Sequence, residues 1–152
     1  MSNVRNLLLA TAGSAGGAGL DVDEVFSTFQ YFGNGGSGNN IVNGIDLSTE
    51  GGLVWFKRRN GGNDHFLVDN VRGLTKYLVS NSNTSGSTHS NVTYNTNGFT
   101  LNDNLGDTNE SNQDYISWSF RKAPKFFDIV TYTGDGSTTK TVSHNLGSTP
   151  GM

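Results

Sequence analysis

The chain has 152 residues, which suits one domain or one domain with a tail and leaves no room for a second full domain. Apolar residues make up 33% of the chain and charged residues only 15%, while 21 residues are Gly, and this composition disfavours a helical bundle. The net charge of −3 excludes nucleic acid as an expected partner, and the absence of cysteine excludes disulfide scaffolds, thiolate metal sites and cysteine nucleophiles.

The N-terminal segment, residues 1–40, combines a short apolar patch at 4–9 with a Gly/Ala-rich stretch at 10–19. Because so short a patch cannot fold alone, two interpretations stay open: a disordered tail, or an extended or partly helical anchor that becomes ordered against a partner. The anchor hypothesis assigns oligomer or attachment contacts to four residues, Val4, Leu7, Leu8 and Leu9. No apolar run reaches the roughly 20 residues that a membrane span requires, so we expect no membrane partner.

The region that follows is typical of short strands separated by turns rich in Asn, Gly and Ser. Residues 21–32 fit either a short helix or a strand, and Gly/Asn/Ser-rich residues 33–40 predict a loop. Further strands are predicted at 53–57, 65–68, 77–79, 92–94, 99–101, 115–121 and 126–133. Such spacing predicts an all-β fold, an antiparallel β-sandwich of the jelly-roll or lectin-like kind over residues 41–152.

Two of these predictions are more detailed. The alternation within residues 115–121 places Ile116, Trp118 and Phe120 on one face of a half-buried strand. The glycines of the tight turn at 134–136 predict that residues 126–133 form a hairpin with residues 138–142.

The loop at 102–114 is rich in Asn, Asp and Glu, which are oxygen ligands that Ca²⁺ prefers. Its spacing does not match an EF-hand loop, and clusters of this kind are more often plain turns. A glycosidase would need a carboxylate pair, for which Asp107 and Glu110 are the candidates. No nucleophile elbow, phosphate loop or dinucleotide motif is present, so we expect no enzyme activity, no metal and no cofactor.

The basic run Lys57, Arg58 and Arg59 is interpreted as a solvated sheet edge, because the chain has no wider basic field. A set of aromatic residues could form a sugar-stacking face, although large aromatics on strands more often lie in the core. The set consists of Trp55, Trp118, Phe120, Phe126 and Phe127.

Several stretches, in this order, resemble a domain found repeatedly in tail-fibre and other virion proteins of marine and cyanobacterial tailed phages. The stretches are GLVWFKRR at 52–59, HFLVDNVRGLTKYL at 65–78, NGFTL at 97–101, YISW at 115–118, FDIVTYTGDG at 127–136 and VSHNLGSTPGM at 142–152. The resemblance covers about two-thirds of the chain. It implies a β-sandwich virion module and transfers no catalytic residue.

This resemblance implies a structural protein of the phage virion, assembled in the cytoplasm of the bacterial host. Residues 1–40 would attach a tail fibre to other tail proteins, and residues 41–152 would form the sandwich, with the polypeptide expected to continue past residue 152 towards a distal host-recognition region. Fibres are commonly trimers, so we expect a homo-oligomer. Three alternatives stay open: a capsid-decoration protein, a short tail component, and a glycan-binding module that uses exposed aromatics and the loops at 81–97 and 102–114.

Overall fold

The computed structural model describes residues 19–83, 87–88 and 91–151. The proposed anchor residues Val4, Leu7, Leu8 and Leu9 lie outside this part, so their role stays a prediction. Among the described residues, no helix is long and apolar enough to cross a membrane.

The fold is almost entirely β. A 3-10 turn at Val22–Glu24 precedes the strands, and the four-residue helix α1 spans Leu47–Glu50. The strands are β1 (Phe26–Phe32), β2 (Asn39–Val42), β3 (Gly52–Arg58), β4 (Phe66–Asp69), β5 (Lys76–Val79), β6 (Ser87–Thr88), β7 (Val92–Asn95), β8 (Gly98–Leu101) and β9 (Asp114–Arg121).

The strands form two antiparallel sheets. The larger sheet has the order β1-β9-β3-β4-β5-β6, and the smaller has the order β2-β8-β7. Together they confirm the predicted all-β, antiparallel sandwich, and the strands predicted between residues 53 and 121 are all present.

The sheet begins earlier in the chain than the predicted boundary between residues 40 and 41. Strand β1 pairs with β9 over its whole length, from Phe26 opposite Phe120 to Phe32 opposite Asp114. Residues 21–32 are thus a short 3-10 turn followed by a strand. Strand β1 thus forms the edge of the larger sheet beside β9.

The core lies between the two sheets and is built around aromatic rings. The ring of Phe99, from the smaller sheet, meets Phe56 edge-on at 5.3 Å between centroids. Tyr31 meets Phe99 edge-on at 6.2 Å and stacks on Tyr115 at 5.3 Å. Tyr94 links the sheets through a polar contact, because its buried hydroxyl donates to the carbonyl oxygen of Val68 at 2.8 Å.

The hairpin predicted for residues 126–133 and 138–142 is not formed. The chain from residue 128 to residue 151 contains no strand, and Tyr132 is 68% exposed. Side-chain contacts fix its course instead: the Asp128 carboxylate accepts from the backbone N–H of Asn145 at 2.8 Å and pairs with Lys122 at 3.4 Å. Two isolated strands bury too little apolar surface to be stable without a sheet to pack on.

Candidate functional site

The outer face of the larger sheet carries Trp118 and Phe120 of β9. Tyr115, Ser117 and Ser119 are buried and point into the sandwich, whereas Trp118 and its outward neighbours are only partly buried. Of the two interpretations left open for this aromatic residue, Trp118 thus fits an outer face and not the core. Ser117 faces inwards opposite Phe56 of β3, where a larger side chain would compete for the same interior space.

Two tryptophans form the centre of this face. Trp55 of β3 lies directly opposite Trp118 of β9, with ring centroids 5.3 Å apart and ring planes tilted by 54°. The indole Nε1 of Trp55 donates to Nδ1 of His65 at 3.0 Å. We call Trp55, Trp118 and His65 the tryptophan face.

The His65 ring accepts this hydrogen bond only in its neutral form. Burial, and then the charge of Lys57, lower the pKa of His65 below its usual value of 6.5. The imidazole is therefore neutral at pH 7, and it fixes the orientation of the Trp55 indole.

Polar side chains surround the tryptophan face on its β1 side. Thr28 lies opposite Trp118, and Gln30 lies opposite Ile116; both are exposed. The guanidinium of Arg59 donates to the Gln30 side-chain oxygen at 2.9 Å. Partly exposed rings bordered by hydroxyl, amide and guanidinium groups are suited to stack on the apolar face of a sugar and to hydrogen-bond its hydroxyls.

The C-terminal segment covers the other end of the same outer face. The ring of Phe127 lies 5.2 Å from that of Phe120. Beyond it, residues 127–132 border an open groove with Leu53, Leu67 and Leu78. The tryptophan face and this covered apolar end are thus adjacent parts of one sheet surface.

The basic run at residues 57–59 does not lie on a sheet edge as expected, since β3 is flanked by β9 and β4. Instead its side chains hold loops. Lys57 donates to the carbonyl oxygen of Asn63 at 2.7 Å, and Arg58 pairs with Glu110 at 2.6 Å. These contacts connect the β3–β4 loop with the loop before β9.

Sequence reasoning missed the residue that organises the acidic loop. Asn109 is completely buried, and its side-chain oxygen accepts from the backbone N–H of Asn34 at 3.1 Å. Its side-chain nitrogen donates to the carbonyl oxygens of Gly36 at 2.8 Å and Asp103 at 2.6 Å. One buried amide thus ties the β1–β2 loop to the β8–β9 loop. No residue type in that polar run distinguishes it in sequence.

The carboxylates of the acidic loop serve as loop contacts. Asp107 accepts from the backbone N–H of Asp64 at 2.9 Å, and burial raises its pKa. Glu110 is held by Arg58. Within the described ranges, no group of three or more Asp, Glu, His or Cys residues could hold a metal ion.

A comparison with known families finds one match that covers most of the chain. The model of a "Domain of unknown function (DUF7483)" matches residues 21–152. No curated protein and no solved structure matches the chain significantly. The matched range begins just before the 3-10 turn and contains both sheets.

Proposed function

The chain belongs to the DUF7483 family of domains, and we propose that it is a structural module of a tailed-phage virion, in the N-terminal part of a tail fibre. In this proposal the N-terminal segment attaches the fibre to other tail proteins, and the sandwich helps to present a distal host-recognition region. The resemblance of residues 52–152 to virion domains first suggests this role.

The observation that carries the proposal is where the chain enters and leaves the sandwich. The first residue of β1, Phe26, lies opposite Phe120 near the end of β9, and the N–H of Arg121 donates to the carbonyl oxygen of Val25 at 2.8 Å. Entry and exit are therefore adjacent. The loops at 33–38, 59–65 and 102–113 lie at the opposite end, as the pairing of Arg58 with Tyr115 indicates. A module with this geometry projects its loops away from the end at which the chain enters and leaves the sandwich.

The attachment role is tested in assembled particles. Changing Leu7, Leu8 and Leu9 together to Ser removes the apolar patch, and the protein should then be lost from purified virions while remaining in the infected-cell lysate. Val22→Ser is the matched control, because Val22 is 57% exposed and lies in the 3-10 turn. Normal incorporation of the triple variant would refute the anchor, and absence of the unaltered protein from particles would refute the virion role itself.

A second candidate, a glycan-binding module, is favoured by the tryptophan face. Trp55 and Trp118 are held in fixed orientations on an outer surface bordered by polar groups, and aromatic stacking with hydrogen-bonding neighbours is the chemistry that sugar recognition uses. A glycan array probed with the protein tests it. Trp118→Ala should abolish a signal that Phe32→Ala retains, since Phe32 is 72% exposed at the far end of β1. An array without any bound glycan would exclude this candidate.

A further inference from the structure

The C-terminal segment is weakly similar in sequence to the segment that opens the fold. Residues 22–45 align with residues 123–146 without a gap, and residues 48–51 then align with residues 148–151. Seven aligned pairs are identical: Phe26 and Phe127, Tyr31 and Tyr132, Gly33 and Gly134, Gly35 and Gly136, Ser48 and Ser148, Thr49 and Thr149, and Gly51 and Gly151.

The two segments also start with the same local backbone bond. In the first segment the N–H of Val25 donates to the carbonyl oxygen of Val22 at 3.1 Å. At the aligned positions the N–H of Phe126 donates to the carbonyl oxygen of Ala123 at 3.2 Å. Each bond closes a turn. In the first segment the turn directly precedes Phe26, where β1 begins, and in the second it directly precedes the aligned Phe127.

The loop after the aligned tyrosines has the same geometry in both segments. The side-chain oxygen of Asn34 accepts from the backbone N–H two residues later at 2.9 Å, and that of Asp135 does the same at 3.0 Å. The glycine between these positions has a positive φ in both cases, 68° at Gly35 and 78° at Gly136. Only glycine adopts this conformation without strain.

A third matched bond lies further along. Oδ1 of Asn43 accepts from the backbone N–H of Ile45 at 3.1 Å, and Nδ1 of His144 accepts from the N–H of Leu146 at 3.2 Å. The side chains differ, yet each places an acceptor at the aligned position. Three local bonds and one glycine conformation thus coincide with the alignment.

The two segments differ in what covers their apolar residues. Tyr31 and Ile41 are 7% and 5% exposed, because β9 and β8 pair with their strands and the core encloses them. The aligned Tyr132 and Val142 are 68% and 37% exposed. The second segment therefore shares three local bonds and one glycine conformation with the first, but it lacks the strands that bury the first.

We infer that residues 123–151 are the opening segment of a second copy of this fold. The stretches that align with β1 and β2 lie in no strand, and their apolar side chains and backbone form an interaction surface. The partner that fits this surface is a polypeptide with the sequence pattern of residues 52–121. Its strands equivalent to β8 and β9 would pair with the second segment and complete the second copy of the fold. This inference is independent of the proposed virion function, since it depends only on the repeat and its geometry.

The decisive test completes the second copy. Residues 52–121 are joined after Gly151 of the full chain, and a matched control carries the same added residues in scrambled order. Amide hydrogen exchange at residues 130–133 and 140–143 should slow by at least about tenfold relative to the control, because these residues lie in no strand now and would become paired.

A second test exchanges the two segments. Residues 25–45 of the chain are replaced by the sequence of residues 126–146, which has the same length, and the control again carries a scrambled segment. The exchanged chain should unfold cooperatively in urea, whereas the scrambled control should not. Protection in the completed chain or cooperative folding of the exchanged chain supports the repeat; failure of both overturns it.

Discussion

The buried amide of Asn109 should be a principal determinant of stability at the loop end of the sandwich. Asn109→Ala removes the partners of three backbone groups: the N–H of Asn34 and the carbonyl oxygens of Gly36 and Asp103. Each polar group left without a partner costs about 1 kcal/mol or more, so we expect a loss of about 3 kcal/mol in the free energy of unfolding. That is a large part of the roughly 5–15 kcal/mol typical of a domain.

Urea unfolding followed by tryptophan fluorescence measures this loss. With a denaturant slope of about 2 kcal/mol per M, the midpoint should fall by about 1.5 M. Asn104→Ala is the matched control in the same loop, because Asn104 is exposed and its loss should change stability by less than about 0.5 kcal/mol. Equal midpoints for the two variants would refute the conclusion that Asn109 holds the loops together.

Three further predictions concern other parts of the fold. Because the pKa of His65 is lowered on folding, the His65 contribution to stability is complete above pH 6.5 and decreases as the pH falls below that value. The fluorescence of Trp55 should change over the same pH range. A fluorescence signal that does not depend on pH would contradict the Trp55–His65 contact. Gly98→Ala should be strongly destabilising in thermal unfolding, since the φ of Gly98 is 147° and an added Cβ would lie 2.0 Å from a backbone oxygen. Gly62→Ala is the control and should be tolerated, because no atom lies within 4 Å of the position of its added Cβ. Equal melting temperatures for the two variants would be inconsistent with this packing. Tyr94→Phe removes the hydroxyl that links the two sheets and should cost about 1–2 kcal/mol in urea unfolding, and an unchanged midpoint would show that this bond adds nothing.

The positions of most strands along the chain could be predicted from sequence, but the orientation of their faces could not. In β9 the alternation correctly separates Trp118 from Ser117 and Ser119. Hydrophobicity alone places the tryptophan inside. In the structure the tryptophan lies on the outer face instead. The interior beside β9 already holds Phe56, and the inward-facing serines of β9 leave room for that ring.

The candidate site depends on pairings between distant strands, which sequence periodicity does not contain. Trp55 and Trp118 meet only because β3 and β9 are neighbours in this register. The same limit applies to Asn109, whose partners come from the β1–β2 loop. Turn-forming composition predicted that both loops exist, and only the tertiary fold brings them together.

The inferred repeat gives a physical reason for the hairpin prediction that was wrong. Residues 127–133 and 140–143 align with β1 and β2, which belong to different sheets and do not pair with each other. Each strand pairs instead with one that comes much later in the chain, β9 or β8. Strand-forming residues on both sides of a glycine turn therefore predicted a hairpin, whereas the aligned residues of the first segment join two different sheets. In this fold that turn carries the chain from one sheet to the other.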